Sequence, residues 1–396
     1  MAANAAMTAP APGATRAPRS RLRITHVTDI ATPYLASQLA ALGEMADVHA
    51  VFCAKTGTRA MDWDIAERLS FPHEVIGGLS LPDHVGGSDY HLSPRILAAI
   101  ARRRPDAVVV DGYSIPAVYA SIYCAAARRP LVIRCEGTSR SERVLGAAQI
   151  LARKVLLRRA ACCAATSAKA AERFRELGMP DDRIFLAPHT TDLTPLWRVA
   201  AERSYAARDR LRVLGVGRLI PRKGFDRLLR AAAQAIEAGA PIDVRIVGNG
   251  PEEDSLRRLA LDLGIAERVA FDGFVDQHEL PAAYAAADVF AFPSLRDTFG
   301  IVLVEAAAAG LALVASPDAG ATHDIVRDGR TGLMADPGDI AGMADAFVRL
   351  HRDPELRERL GRAAHELTLD RTPETAARGF VAAVEAARGQ LGLALA

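Results

Sequence analysis

Short apolar runs, each about the length of a β-strand, recur along the first half of the chain with longer amphipathic stretches between them. LRITHV (Leu22 to Val27), DVHAVF (Asp47 to Phe52) and DAVVV (Asp106 to Val110) read as strands. So do PLVIRC (Pro130 to Cys135), CCAAT (Cys162 to Thr166) and RIFLAP (Arg183 to Pro188). Strands that alternate with helices need crossover connections, and right-handed crossovers make the sheet parallel and doubly wound. The segment HTTDLTPLWRVAAERSYAARDR (His189 to Arg210), polar and irregular at its start, is predicted as a linker. Alternation resumes at Leu211, runs through Gly332, Leu333 and Met334, and gives way to helical stretches up to Gly389. The pattern predicts two α/β domains, residues 21–200 and 201–372, behind an Ala/Pro/Arg-rich tail at 1–20 expected to be disordered. Neither an internal repeat nor a heptad array is present.

Composition agrees and narrows the class. With 396 residues, 50% of them hydrophobic, the chain can bury two ordinary cores. Cys53, Cys124, Cys135, Cys162 and Cys163 are an odd set without metal-ligand spacing, which suits a reducing cytoplasm and no disulfide framework. No apolar run approaches the roughly 18 residues of a membrane span, and the first residues lack the apolar core of a secretory signal, so a cytoplasmic location is expected.

The net charge of +2 conceals an asymmetry: residues 1–200 carry 25 Lys and Arg against 18 Asp and Glu, and 201–396 carry 24 against 29. Much of the excess lies in RSERVLGAAQILARKVLLRR (Arg140 to Arg159). There Val144, Leu145, Ala148, Leu151, Val155 and Leu156 follow helical spacing, with Arg143, Arg153, Lys154, Arg158 and Arg159 around them. Three readings fit a basic amphipathic helix: a solvated face, a patch for anionic lipid headgroups or a lipid-phosphate acceptor, and a contact for an acidic soluble acceptor or partner. Peripheral contact with the inner face of the membrane is therefore one open expectation. Nucleic acid is not expected, because the patch lacks interleaved aromatics and only 5% of residues are aromatic.

Candidate chemistry concentrates in SLRDTFGIVLVEAAAAG (Ser294 to Gly310), which follows the strand-length run ADVFAF (Ala287 to Phe292) and opens an Ala-rich helix at Gly300. A strand-to-helix turn of this kind aims unpaired backbone N–H groups and the positive end of a helix dipole at the carboxyl edge of a parallel sheet, where phosphates bind. Asp297 stands in the turn, and Glu305 follows one to two helical turns on, within reach of hydroxyls on whatever carries the phosphates. A purely structural alternative makes Asp297 the helix N-cap and Glu305 a paired carboxylate under the sheet. In LRVLGVGRLIPRKGFDRLLRAAAQ (Leu211 to Gln234) a strand runs into Gly215 and Gly217, then Arg218 and Lys223-Gly224, then an amphipathic helix. Gly217 lets the backbone approach a ligand, and the two cations can offset charge on a departing diphosphate, although each taken alone is also an ordinary surface charge. The order GxxxxGK[ST] is absent, which excludes a nucleotide-hydrolase P-loop.

With VGNGPEEDSL (Val247 to Leu256), FDGFV and ELPAAYAAADVFAFPS between Phe271 and Ser294, and VRDGRTGLMADPGD (Val326 to Asp339), these segments resemble the retaining glycosyltransferases of family 4 in order and spacing. The resemblance is specific over 211–350 and loose over the first half. It implies the GT-B fold: two facing Rossmann-like domains with parallel sheets and an interdomain cleft, the acceptor on the first, the nucleotide sugar on the second, and a last helix within 373–396 returning to the first. It also implies transfer from a nucleoside diphosphate sugar to a hydroxyl acceptor (saccharide, lipid-linked or small-molecule glycoside) with retention, by same-face attack in which a departing phosphate oxygen takes the acceptor proton. Carried over, Arg218 and Lys223 bind the diphosphate, Asp297 the donor sugar and Glu305 the ribose. Gly217, Gly248 and Asn249 line the donor site, the N–H groups of Thr298, Phe299, Gly300 and Ile301 face the donor, and the loop from Gly273 to Val275 meets the base.

The chain departs from that family in places. Most relatives have Glu where Asp297 stands, and a carboxylate withdrawn by about one bond length leaves the donor sugar open. Thr32-Pro33-Tyr34 replaces a common Gly-Gly turn, a form shared with a subgroup. Arg134-Cys135-Glu136-Gly137 stands where many relatives have a sugar-contacting histidine, and Arg134 and Glu136 either substitute for it or form a structural ion pair. His26, Asp29 and His189, at predicted strand ends, read as satisfied loop or core residues. Asp62-Trp63-Asp64 is a DxD, the pattern by which another glycosyltransferase fold holds a divalent metal, but it lies far from any glycine-rich turn. No metal or other cofactor is expected, since the Arg/Lys pair supplies the charge. Two further readings stay open: a nucleotide-sugar epimerase or phosphorylase of related architecture, and an impaired family member that binds without transferring. Only Lys55, Lys154, Lys169 and Lys223 are available for a pyridoxal linkage.

Overall fold

Two parallel sheets organise the computed structural model, which describes residues 21–54, 69–81 and 90–395. The first half supplies strands β1 (Arg23–Ile30), β2 (Asp47–Ala54), β3 (His73–Val75), β6 (Ala107–Asp111), β7 (Leu131–Cys135), β8 (Cys162–Ala165) and β9 (Ile184–Leu186), with an antiparallel pair β4 (Leu79–Leu81) and β5 (Tyr90–Leu92) set apart. Helices α1 (Pro33–Met45), α2 (Arg95–Arg103), α3 (Ile115–Ala127), α4 (Ala147–Leu157) and α5 (Ala168–Glu176) connect them. The spatial order β3-β2-β1-β6-β7-β8-β9 reverses direction between β1 and β6. Side chains on both faces of β2, β6 and β8 are buried, which is why these strands read as near-continuous apolar runs rather than alternating ones.

After α6 (Thr194–Ala201) the second half runs β10 (Leu211–Val216), α7 (Phe225–Glu237), β11 (Ile242–Val247), α8 (Glu253–Asp262), β12 (Val269–Gly273) and α9 (Leu280–Ala286). It continues β13 (Val289–Phe292), α10 (Ile301–Ala308), β14 (Ala312–Ala315), α11 (Gly320–Ile325) and β15 (Leu333–Met334), in the order β12-β11-β10-β13-β14-β15. Here the reversal falls between β10 and β13. Loops leaving neighbouring strands at such a point diverge to opposite faces, and the crevice between them is where ligands bind in open α/β sheets.

Helices α12 (Ile340–Arg352) and α13 (Pro354–Glu366) close the second core, and α14 (Pro373–Leu395) returns to the first domain. Ala377, Phe380, Ala383 and Val384 of α14 are buried with Leu35, Leu39 and Leu42 of α1. Between the domains, Asp324 accepts from the Ala168 N–H at 3.1 Å and from Arg371 at 2.8 Å, while Arg140 of the first domain pairs with Asp318 of the second.

The region expected to be a polar linker is more structured than its composition suggests. Leu193 and Leu196 are buried in the second core, and Trp197 donates to Thr368 at 3.1 Å. Arg203 then caps two helices at once, donating to the carbonyls of Tyr284 (2.7 Å), Ala287 (2.6 Å) and Ala309 (2.7 Å). Carbonyls at helix C-termini lack intrahelical partners, and one planar guanidinium supplies several donors at fixed angles.

The helix expected over Arg140 to Arg159 is cut to Ala147–Leu157. Glu142, which that reading left on the helix, is buried, and a buried carboxylate needs cations. It takes Arg173 at 2.9 Å and draws Arg153 to 3.5 Å, with Arg153 lying 4.8 Å over the Tyr113 ring. Arg153 therefore leaves the outer face. What stays outside is a mixed surface: Val144, Leu151 and Val155 are 49%, 62% and 49% exposed among the exposed Arg143, Lys154, Arg158 and Arg159.

Replacing Arg203 with Met should destabilise the second domain by about 2–4 kcal/mol, since each bond to a charged donor is worth about 1.5–3 kcal/mol and water recovers part of the loss. A calorimetric or urea midpoint unchanged from wild type would show that the three carbonyls are satisfied without it.

Candidate active site

At the reversal of the second sheet, two loops are stitched together. The loop after β10 passes through a short turn at Pro221–Lys223, and the loop after β13 runs beside it: the Leu295 N–H donates to the Arg222 carbonyl at 2.9 Å, and Arg222 donates back to the Arg296 carbonyl at 3.2 Å. This brings the Lys223 ammonium onto the Asp297 carboxylate, with the ammonium also 5.8 Å from the Phe292 ring centroid. The Asp297 N–H donates to the Asp318 carbonyl at 3.0 Å. Sequence reasoning gave Lys223 and Asp297 separate tasks; the structure puts them in direct contact. An ammonium has three N–H bonds, so the pair leaves Lys223 able to hold an anion as well.

The structural alternative for Asp297, an N-cap of α10, does not hold. Gly300 occupies the cap with φ of 87°, and a Cβ there would sit 2.8 Å from the Phe292 ring. Among the described residues the N–H groups of Phe299, Gly300 and Ile301 have no protein acceptor. Open donors at the positive end of an eight-residue helix make an anion cradle.

Glu305, one turn into α10, is buried and accepts from the Tyr284 hydroxyl at 2.8 Å. Burial pushes its carboxyl up to about 7, and the Tyr284 hydrogen bond offsets only part of that. Tyr284 carried no signal in the sequence beyond being a lone aromatic in an Ala-rich segment.

The remaining predicted residues fall around the same edge. Gly217 donates to the Val247 carbonyl at 2.9 Å, and Gly248, with φ of 134°, comes so close that a Cβ would lie 2.0 Å from the Gly217 carbonyl oxygen. Only glycine fits there. The exposed Asn249 uses its carbonyl to accept from Leu219 at 2.8 Å. The Gly248 N–H donates to the Gly273 carbonyl at 2.7 Å, which ties the Gly273 loop to this edge, with Val275 half-buried against the second core. Arg218 is half-buried, and its guanidinium forms no ion pair among the described residues.

Across the cleft, Thr32 caps α1 through the Leu35 N–H at 3.3 Å, and Pro33 starts the helix. That turn delivers Tyr34 to the second domain, where burial together with the charges of Glu305, Glu136 and Asp297 drives its hydroxyl well above the usual tyrosine range. Arg134 and Glu136 are joined at 3.5 Å, but Arg134 also bonds Asp111 at 3.1 Å and His189 at 2.8 Å. Ser114 approaches Asp29 at 3.4 Å. A cationic residue inside the apolar run PLVIRC was the available signal for this cluster, since a buried arginine demands partners. Asp62 and Asp64 lie outside the described residues. Among those described, no group of three or more His, Cys, Asp or Glu could hold a metal ion, and no helix is long and apolar enough to cross a membrane.

Comparison with known proteins gives this geometry a family. The model of glycosyl transferases group 1 matches residues 201–367, and that of the glycosyl transferase 4-like domain matches 8–190. The GDP-mannose-dependent alpha-(1-6)-phosphatidylinositol monomannoside mannosyltransferase of Mycolicibacterium smegmatis is 37% identical over 180 residues, 44% of this chain and 47% of that protein. A D-inositol 3-phosphate glycosyltransferase of Thermomonospora curvata is 33% identical over 286 residues, 66% of this chain and 64% of its own length. The chain spans about half the length of the first curated relatives it matches. HepE of Anabaena, solved in complex with UDP, shares the fold at a TM-score of 0.70 with 22% identity, covering 94% of this chain and 99% of that one. The architecture is GT-B, and with both of its domains matched by family models the chain belongs to the group 1, family 4-like glycosyltransferases.

Proposed function

We propose that the protein transfers a sugar from a nucleoside diphosphate sugar to a hydroxyl acceptor with retention of configuration. One observation carries the reading: Lys223, Asp297 and the open N-terminus of α10 converge at the reversal point of the second sheet, with Glu305 one turn behind. In this reading the diphosphate lies on the α10 N–H groups between Arg218 and Lys223, which offset the negative charge that grows as the sugar leaves. Asp297, steadied by Lys223, orients sugar hydroxyls. Glu305 accepts from the ribose hydroxyls once ionised, and the Gly273 loop meets the base. Same-face attack, with a departing phosphate oxygen taking the acceptor proton, needs no protein nucleophile and no metal. Relatives named for GDP-mannose and neighbours solved with UDP-glucose make these two the donors to try first.

The acceptor reading follows from the α4 surface. Exposed Val144, Leu151 and Val155 set among Arg143, Lys154, Arg158 and Arg159 suit an interface with anionic phospholipid, apolar groups entering the acyl boundary and cations meeting headgroups. The acceptor would then be lipid-linked and met at the membrane surface.

Three outcomes test this function. In excess EDTA, Arg218→Ala and Lys223→Met should each lower kcat for nucleoside diphosphate release by about two to three decades, the size of losing one preorganised charged contact in a transition state. Full activity in both variants, or a strict requirement for manganese or magnesium, would sink the site assignment.

Because Glu305 sits near 7 without ligand, donor KM should rise about tenfold from pH 8 to pH 6 as the carboxylate is protonated, and Glu305→Gln should weaken the donor and remove that slope. The stability sign is opposite to that of an ordinary paired acid. A carboxyl raised on folding binds its proton more tightly in the native state, so stability is lost as pH climbs from the usual carboxylate range through about 7. Glu305→Gln should therefore melt higher than wild type at pH 8 but not at pH 4; equal melting at pH 8 would mean Glu305 is not buried as charge.

Finally, the protein should float with phosphatidylcholine vesicles containing phosphatidylglycerol and not with phosphatidylcholine alone, and the double change Leu151→Glu, Val155→Glu should reduce the bound fraction tenfold or more. Equal recovery of the double variant with the anionic vesicles would remove the membrane from the proposal.

A further inference from the structure

We propose that His189 donates a hydrogen bond from Nε2 to a hydroxyl of the transferred sugar, and that Arg134 is the positioning residue that fixes its tautomer. The inference rests on the transferase reading above and adds a substrate contact from the first domain. Its basis is a chain of polar groups drawn from β1, β6, β7 and the residues just past β9 of the first sheet. His26 on β1 bonds Asp111 at 3.1 Å, Asp111 on β6 accepts from Arg134 at 3.1 Å, and Arg134 on β7 reaches His189, just past β9, at 2.8 Å. His26, Arg134 and His189 are all buried. Burial disfavours the Asp111 carboxylate, but Arg134 and His26 outweigh it and hold the carboxyl well below the usual range.

The contact at 2.8 Å decides the protonation of His189. A guanidinium has donors only, so the Nδ1 atom facing Arg134 must offer its lone pair, and the ring proton must sit on Nε2. Glu136 lies 3.4 Å from the same Nδ1 and would favour the opposite tautomer, but that is too long for a good hydrogen bond, and Glu136 also neighbours Arg134 at 3.5 Å. The imidazole is neutral as well. Burial, opposed by Glu136 and Asp111 and reinforced by Arg134, pushes it down to about 4. Asp297 and Glu305 lie close enough to act on the hydroxyl of Tyr34, which packs against the His189 ring.

The ring stands between the domains. It meets Phe299 edge-on at 4.9 Å between centroids and Tyr34 at 5.6 Å. Phe299 belongs to the donor turn, between Thr298 and the open cap at Gly300. The Nε2–H has no acceptor among the described residues, and the side chain keeps 8% of its surface exposed. A neutral N–H beside the Phe299 turn can bind a sugar hydroxyl without adding a third cation to Arg218 and Lys223, and it keeps that form across ordinary pH.

The test joins spectroscopy and kinetics. In protein labelled with 15N-histidine, with His189→Gln used for assignment, the His189 nitrogens should report a neutral Nε2–H ring from pH 5 to pH 8. In Arg134→Lys, which can keep a pair with Asp111 but is too short to hold Nδ1, burial still keeps the ring neutral, but its proton is no longer confined to Nε2 and an Nδ1–H population should appear. With whichever of UDP-glucose and GDP-mannose the wild type turns over, His189→Phe should lower kcat about 30- to 100-fold while affinity for the free nucleoside diphosphate stays within twofold, and His189→Gln, which keeps an N–H at similar reach, should recover most of the loss. A charged or Nδ1–H ring in wild type, or His189→Phe within threefold of wild type, would overturn the inference and leave the transferase reading standing. A wild type that turns over neither donor would overturn both.

Discussion

The Lys223–Asp297 pair organises the edge of the second sheet where its strand order reverses. It joins the two loops that diverge at the reversal of the second sheet, and it places a cation and an anion beside an uncapped helix N-terminus. Its reach extends further, because the Asp297 backbone hangs on the Asp318 carbonyl and the Asp318 side chain pairs with Arg140 of the first domain. The loop that would grip the donor is thus attached to the opposite face of the cleft, and domain approach and donor geometry are mechanically one problem.

The cleft is assembled from groups that are unfavourable where they stand. Glu305 is buried and accepts from the Tyr284 hydroxyl, Arg134 is buried at a strand end, and three N–H groups at α10 have no protein acceptor among the described residues. Each would lower stability in a protein selected only to fold. Together they suit the proposed donor, with hydroxyls near Glu305 and negative charge near Gly300. The charges divide accordingly: Lys223 and open N–H groups near Gly300, the Asp297 and Glu305 carboxylates around them, and on the first domain a histidine kept neutral chiefly by burial.

Where sequence reading and structure diverge, a long-range demand explains the difference. The helix expected from Arg140 begins at Ala147, where buried Glu142 folds back onto Arg153 of α4 and takes Arg173 from α5, a partner that no periodicity within the segment reveals. Asp297 has the sequence position of a cap but not the role, since its partner, Lys223, comes 74 residues earlier. The predicted linker contains the eight-residue helix α6 because Leu193, Leu196 and Trp197 find a core and a threonine that the local sequence does not reveal.

What the sequence alone determined is what local chemistry encodes. Apolar runs bounded by glycine and polar turns produced two parallel α/β domains, and the spacing of Arg218, Lys223, Asp297 and Glu305 placed the candidate chemistry at strand ends, because strand and helix lengths and turn chemistry are properties of neighbouring residues. Only the tertiary structure decided which of these groups touch. That Lys223 meets Asp297, that Tyr284 supports Glu305 and that Arg134 sets the tautomer of His189 are contacts between residues 74, 21 and 55 positions apart. Such contacts are fixed by which strands lie side by side, a consequence of packing two sheets that no short stretch of sequence specifies.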